Sequence, residues 1–200
     1  FLRGYFSQFA FKSITTADFV QYLRKNLLDP NPEQAKRIDL HKWLSEPGLP
    51  ENTPQPQSDA FENVSKISAS WLAGKTSTEN IPVSKWSTHE TLRFLRSLEN
   101  APSSRLAELD RVFHFTQSGN SEILFQWLMN SIRAGYQPAY PKLEEFLMEV
   151  GRRKYVRPLY QELVKTPAGK EQANAIYKKA RPGYHPIAAM SIDEVLKSSK

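Results

Sequence analysis

The strongest constraint on the fold is a recurring pattern of apolar residues at three- and four-residue spacing. They fall in short stretches, each closed by proline, glycine or a polar turn. Phe1, Leu2, Tyr5, Phe6 and Phe9 follow this spacing and predict one apolar helix face. Thr15-Thr16-Ala17-Asp18 offers a threonine cap and an acidic first turn for a second helix, continued by Phe19, Tyr22, Leu23 and Leu27 and broken at Asp29-Pro30-Asn31-Pro32. Asp39 can cap a short helix through Trp43 and Leu44, which Pro47-Gly48-Leu49-Pro50 ends. Residues 51–58 lie in a polar, proline-rich stretch without apolar period and read as a linker.

Beyond the linker, helices are predicted over about 59–73, 87–99, 103–115, 121–134, 138–150, 158–165, 169–179 and 186–197. The stripe of Ile123, Trp127, Leu128 and Ile132 is a clear example, and Trp43, Trp71, Trp86 and Trp127 are expected in the core. No segment has the period-two alternation and hairpin turns of a strand pair. The expected fold class is therefore all-α. Short helices joined by short loops favour antiparallel pairs, hence a bundle or a stacked array, although no strict repeat is present.

Four Trp, eleven Phe and eight Tyr among 200 residues suffice for a core, which excludes global disorder. The absence of cysteine removes disulfides, thiolate zinc sites and thiol nucleophiles together, and fits a reducing compartment. No apolar run approaches the roughly 18 residues of a membrane span. The expected location is cytoplasmic, with no membrane partner. Phe1–Ala10 lacks the layout of a signal peptide, and an opening on Phe1 in mid-pattern is what an excised piece, or a processed chain, would show.

Catalytic motifs fail one by one. The nearest approach to a helical zinc-peptidase motif is His89-Glu90-Thr91-Leu92-Arg93, where Arg93 stands at the second ligand position and would repel a metal. This segment reads as the start of an amphipathic helix. His41, His114 and His185 are isolated, and neither a phosphate-binding glycine loop nor a serine elbow occurs. Glu144-Glu145 and Asp193-Glu194 read as solvated helix-surface carboxylates. The chain is expected to hold no catalytic residue, metal site or cofactor of its own.

The formal charge of +6 is uneven: residues 151–200 carry 11 Lys/Arg against 4 Asp/Glu. A solvated basic face explains this as well as an anionic partner does. Within this quarter, Gly151-Arg152-Arg153-Lys154-Tyr155-Val156-Arg157-Pro158 stands out. Gly151 suits the position after a helix end, while Pro158 suits the first turn of the next helix and disfavours helical geometry at Arg157. Arg152 to Lys154 are thus expected in a connector. Arg offers a planar fork for a carboxylate and Lys a compact charge. A solvent-facing basic loop stands equally open.

Four stretches, taken together, carry a family resemblance. They are Lys12-Ser13-Ile14-Thr15-Thr16 with Asp18-Phe19; Trp43-Leu44 with Pro47-Gly48-Leu49-Pro50; Asn120-Ser121-Glu122-Ile123 with Phe125 and Trp127-Leu128; and Gly151-Arg152-x-Lys154 through Arg157-Pro158-Leu159, then His185-Pro186. In order and spacing the chain resembles the C-terminal part of the M1 zinc aminopeptidases of the leukotriene A4 hydrolase and aminopeptidase B group. The resemblance implies that residues 1–50 are the last helices of a thermolysin-like catalytic domain. It also implies that 59–200 form an α-helical C-terminal domain, a two-layer right-handed superhelix of antiparallel helix pairs like ARM or HEAT arrays. Zinc and its catalytic Glu would lie upstream, in a catalytic domain of the same polypeptide. Arg152 and Lys154 would bind the free C-terminal carboxylate of a peptide substrate, with no role for Arg153. Epoxide hydrolysis belongs to particular members, so aminopeptidase activity is the activity implied. The alternative is a helical-repeat interaction module whose basic quarter binds nucleic acid or an acidic protein.

Overall fold

The computed structural model describes residues 1–198. Two compact units divide at Gln57 and Ser58. Helix is the only regular secondary structure among the described residues.

In the first unit, helix α1 (Leu2–Gln8) precedes α2 (Thr16–Leu23), which runs on through a wider π turn, Arg24–Leu28. Thr15 and Asp18 close a reciprocal capping box at the start of α2: the Asp18 amide donates to Thr15 Oγ1 (3.2 Å) and the Thr15 amide to Asp18 Oδ2 (2.8 Å). Tyr5 packs against Phe9, Phe19 and Tyr22 with ring centroids 5.3–5.7 Å apart. Tyr5 and Phe9 are half-buried on one helix face and Phe1 packs at its edge against Tyr22, whereas Leu2 and Phe6 are well exposed. The single apolar face expected of all five is thus narrower than the spacing suggested. Two short helices follow, α3 (Pro32–Ala35) and α4 (Leu40–Ser45), the latter capped by Asp39 as expected. Trp43 is 38% exposed and not a core residue, and α4 buries none of its side chains.

The second unit is built from α5 (Ala60–Leu72), α6 (Thr88–Arg96), α7 (Ser103–Phe113), α8 (Ser121–Ala134), α9 (Tyr140–Glu149), α10 (Arg153–Leu163), α11 (Pro167–Ala180) and α12 (Pro186–Ser198). Alternate helices stack: α8 packs on α6 and α10, α10 packs on α12, and α9 packs on α11. Within a layer the helices run parallel. Asn120 at the start of α8 reaches Thr88 at the start of α6 (3.2 Å), and Arg133 near its end reaches Glu99 just past α6 (3.0 Å). The result is the expected two-layer helical array.

Trp71, Phe94, Leu106, Trp127, Leu143, Leu159 and Tyr160 are fully buried between the layers. Each such side chain contributes roughly 1.5–3 kcal/mol. The indoles are also satisfied as donors, Trp71 to Thr78 and Trp127 to Thr116, each at 2.9 Å. Trp86 is only partly buried, packed on Phe94 at 5.4 Å.

The expected connector around Arg152 is largely helix. Arg152 caps α10 while Arg153 and Lys154 occupy its first turn, and Pro158 lies inside it with Arg157 helical. Proline there withholds the amide that would bond the Lys154 carbonyl, at a cost of about 3 kcal/mol. Burial of Tyr155, Val156, Leu159, Tyr160 and Leu163 along one face outweighs it. Gly151 follows α9 as expected but lacks the positive φ of a left-handed cap.

Candidate functional site

Tyr155 is the foundation of the site. Its ring is buried between Phe125 of α8 (5.4 Å) and Phe146 of α9 (6.0 Å), so three helices fix it. Arg152 and Lys154 flank this ring: the guanidinium carbon lies 5.8 Å and the ammonium 5.2 Å from its centroid. The two cations expected to act together do converge on one platform, at the N-terminal end of an eleven-residue helix whose free amides add positive potential.

Glu122, in the first turn of α8, joins them. Its Oε1 accepts from the Lys154 ammonium and from the Tyr155 hydroxyl (2.8 Å). These hydrogen bonds, Lys154 first, hold the Glu122 carboxyl below the ordinary range, with the Lys154 and Arg152 charges adding to them. Burial, and then the Glu122 contact, push the Tyr155 phenol up. Glu122 is therefore ionised and Tyr155 neutral near pH 7. The three charges leave one positive charge unbalanced. Among the described residues no carboxylate forms an ion pair with the Arg152 guanidinium, which the Glu122 charge reaches only at longer range. Such a group can take a single carboxylate through a charge-assisted fork.

Glu122 was part of a recognised sequence stretch but had no expected role. It stands 32 residues from Lys154, and only the parallel stacking of α8 on α10 brings the two together.

Three other basic residues of the last quarter are committed elsewhere. Lys165 pairs with Glu162 (2.8 Å), Lys179 with Glu144 (2.7 Å) and Arg181 with Asp193 (3.0 Å). The carboxylates Glu144 and Asp193, expected to be solvated, are thus interhelix partners. Glu145 pairs within its own helix, with Lys142 at 2.5 Å.

The zinc-motif near miss is a helix start. Ser87 and Glu90 form a capping box, and Arg93 Nε donates to Ser65 (3.1 Å). Among the described residues, no three His, Cys, Asp or Glu side chains are grouped to hold a metal ion. The residues present therefore do not fit a zinc centre. No described helix is long and apolar enough to cross a membrane.

The profile of the family described as "Leukotriene A4 hydrolase, C-terminal" matches residues 86–196, more than half of the chain and all of the site. The chain belongs to this family. It is 28% identical over 201 residues to the leukotriene A-4 hydrolase of Xenopus laevis, covering 96% of this chain and 32% of that protein. Aminopeptidase B of Mus musculus is 24% identical over 194 residues, covering 89% and 29%. The solved structure of native yeast LTA4 hydrolase superimposes with a TM-score of 0.69 at 25% identity, over 97% of this chain and 34% of that one. The chain thus spans about a third of the length of its relatives, and it is similar to their helical C-terminal domain.

Proposed function

We propose that this chain is the C-terminal part of an M1-type zinc aminopeptidase, and that Arg152 and Lys154 anchor the free carboxylate of its peptide substrate. The observation that carries the reading is the unpaired Arg152 guanidinium beside Lys154 at the start of α10. In this reading residues 1–50 complete a catalytic domain, 51–58 link the two parts, and 59–200 form the helical C-terminal domain. The partner is the catalytic domain of the same polypeptide, in the cytoplasm. Zinc belongs to that domain, and no step through it falls to the residues described here.

The residues in hand bind and orient. A carboxylate entering at Arg152 exchanges water for two parallel N–H donors, and Lys154 offers N–H groups not used by Glu122. Holding the far end of a peptide fixes how far its N-terminus reaches, which turns binding into positioning. Charge-assisted contacts of this kind are worth roughly 1.5–3 kcal/mol.

In the full-length protein, Arg152→Ala is expected to lower kcat/KM for a peptide with a free C-terminal carboxylate by roughly 10- to 100-fold. The same peptide as its C-terminal amide should lose much less. Equal losses on both would overturn carboxylate anchoring. The isolated chain should retain no zinc after dialysis and show no aminopeptidase turnover, and turnover above background would contradict the division of labour.

A further inference from the structure

Glu122 meets Lys154 in a way that an ordinary interhelix ion pair does not require. One oxygen, Oε1, takes both the Lys154 ammonium and the Tyr155 hydroxyl. The Tyr155 ring is locked by Phe125 and Phe146, so the hydroxyl and the carboxylate it holds are fixed in place. Glu122 also lies in the first turn of a fourteen-residue helix, where a negative charge is stabilised without help from Lys154. Lys154, by contrast, has a flexible four-carbon stem and a half-exposed side chain. The mobile partner is thus drawn to the immobile one. An ammonium has three N–H groups, and Glu122 takes one, leaving two for another acceptor.

We propose that Glu122 is a positioning residue for the carboxylate site. It holds the Lys154 ammonium on the Tyr155 ring beside Arg152 and offsets the repulsion between the two cations, so that a carboxylate meets a prepared pair of donors. The inference rests on the reading of Arg152 and Lys154 as carboxylate anchors. An unheld Lys154 would leave its neighbour and sample solvent, and each binding event would then have to restrain its stem again.

The test uses the full-length protein and two substrates, a tripeptide that the wild-type protein cleaves and its C-terminal amide. The quantity read is the preference for acid over amide in KM, with kcat measured alongside. Glu122→Gln keeps the shape and the acceptor for Tyr155 but removes the charge. It is expected to weaken the preference about three- to tenfold, through KM more than kcat. Tyr155→Phe frees the carboxylate and should act in the same direction, less strongly. A merely structural contact would shift both substrates together, so an unchanged preference in both variants overturns the proposal. A preference that rises also overturns it, since Glu122 would then be a competitor for Lys154.

Arg152→Ala separates the two levels of the argument. If it leaves the preference intact, carboxylate anchoring itself fails. If it abolishes the preference while Glu122→Gln and Tyr155→Phe preserve it, only the role of Glu122 fails.

Discussion

The same two helices, α8 and α10, carry an ion cluster at each end, and the clusters differ in balance. At the C-terminal ends, Arg133 bridges Glu99 (3.0 Å) and Glu162 (3.2 Å), and Lys165 adds a second contact to Glu162 (2.8 Å). Two cations meet two carboxylates there, and Glu162 is only 9% exposed. At the N-terminal ends, two cations meet one carboxylate, and Arg152 has no ion-pair partner among the described residues. The first arrangement is self-sufficient and clips α6, α8 and α10 together. The second is incomplete by one negative charge. On the proposed reading, an unmet charge held on a rigid platform, and not the number of charged groups, sets the carboxylate site apart from a structural cluster.

Several substitutions should break or sharpen this contrast. The largest effect is expected from Trp127→Ala, which removes the fully buried anchor of the helix from which both clusters hang. It should cost about 3–5 kcal/mol in urea unfolding and disturb both ends at once. Glu162→Ala should act on one end alone. It strands Lys165 and leaves Arg133 with Glu99 alone, with an expected loss of about 2 kcal/mol, while the acid-over-amide preference of the full-length protein stays as it was.

The smallest effect concerns pH. The folded-state pKa of Glu122 is lowered from an ordinary 4.5, so its contribution to stability is present above that value and is lost as pH falls through the folded one. Wild type should therefore exceed Glu122→Gln in stability at pH 6–7 by less than about 1 kcal/mol, since the pair is solvent-accessible. The gap should close below pH 4.5, as followed by unfolding curves of the two proteins across pH.

Much of this architecture is legible in the sequence, because it is written locally. Thr15 with Asp18, Ser87 with Glu90, and Asn120 ahead of Glu122 each mark a helix start within four residues, and each cap is present. The apolar stripe of α8 likewise lands Trp127 and Leu128 in the core. The start of α10 was misplaced because Pro158 argues locally for a boundary. The opposing term, burial of Tyr155, Val156, Leu159 and Tyr160, exists only once the layers pack. Arg152 and Lys154 stood out through their adjacency in the chain. Their counterweight did not, since the distance from Glu122 to Lys154 is spanned by stacking and not by sequence. Leu2, Phe6 and Trp43 show the converse limit: apolar spacing names a face without saying how much of it finds a partner in the described structure.

The most direct test sets the two ends against each other in the full-length protein, by measuring kcat/KM on a peptide acid and its amide for Arg152→Ala and Arg133→Ala. The account predicts that Arg152→Ala reduces the acid-to-amide ratio at least about tenfold with little change in stability, whereas Arg133→Ala lowers stability and leaves the ratio intact. An unchanged ratio in Arg152→Ala, or an equal fall in both variants, would contradict it.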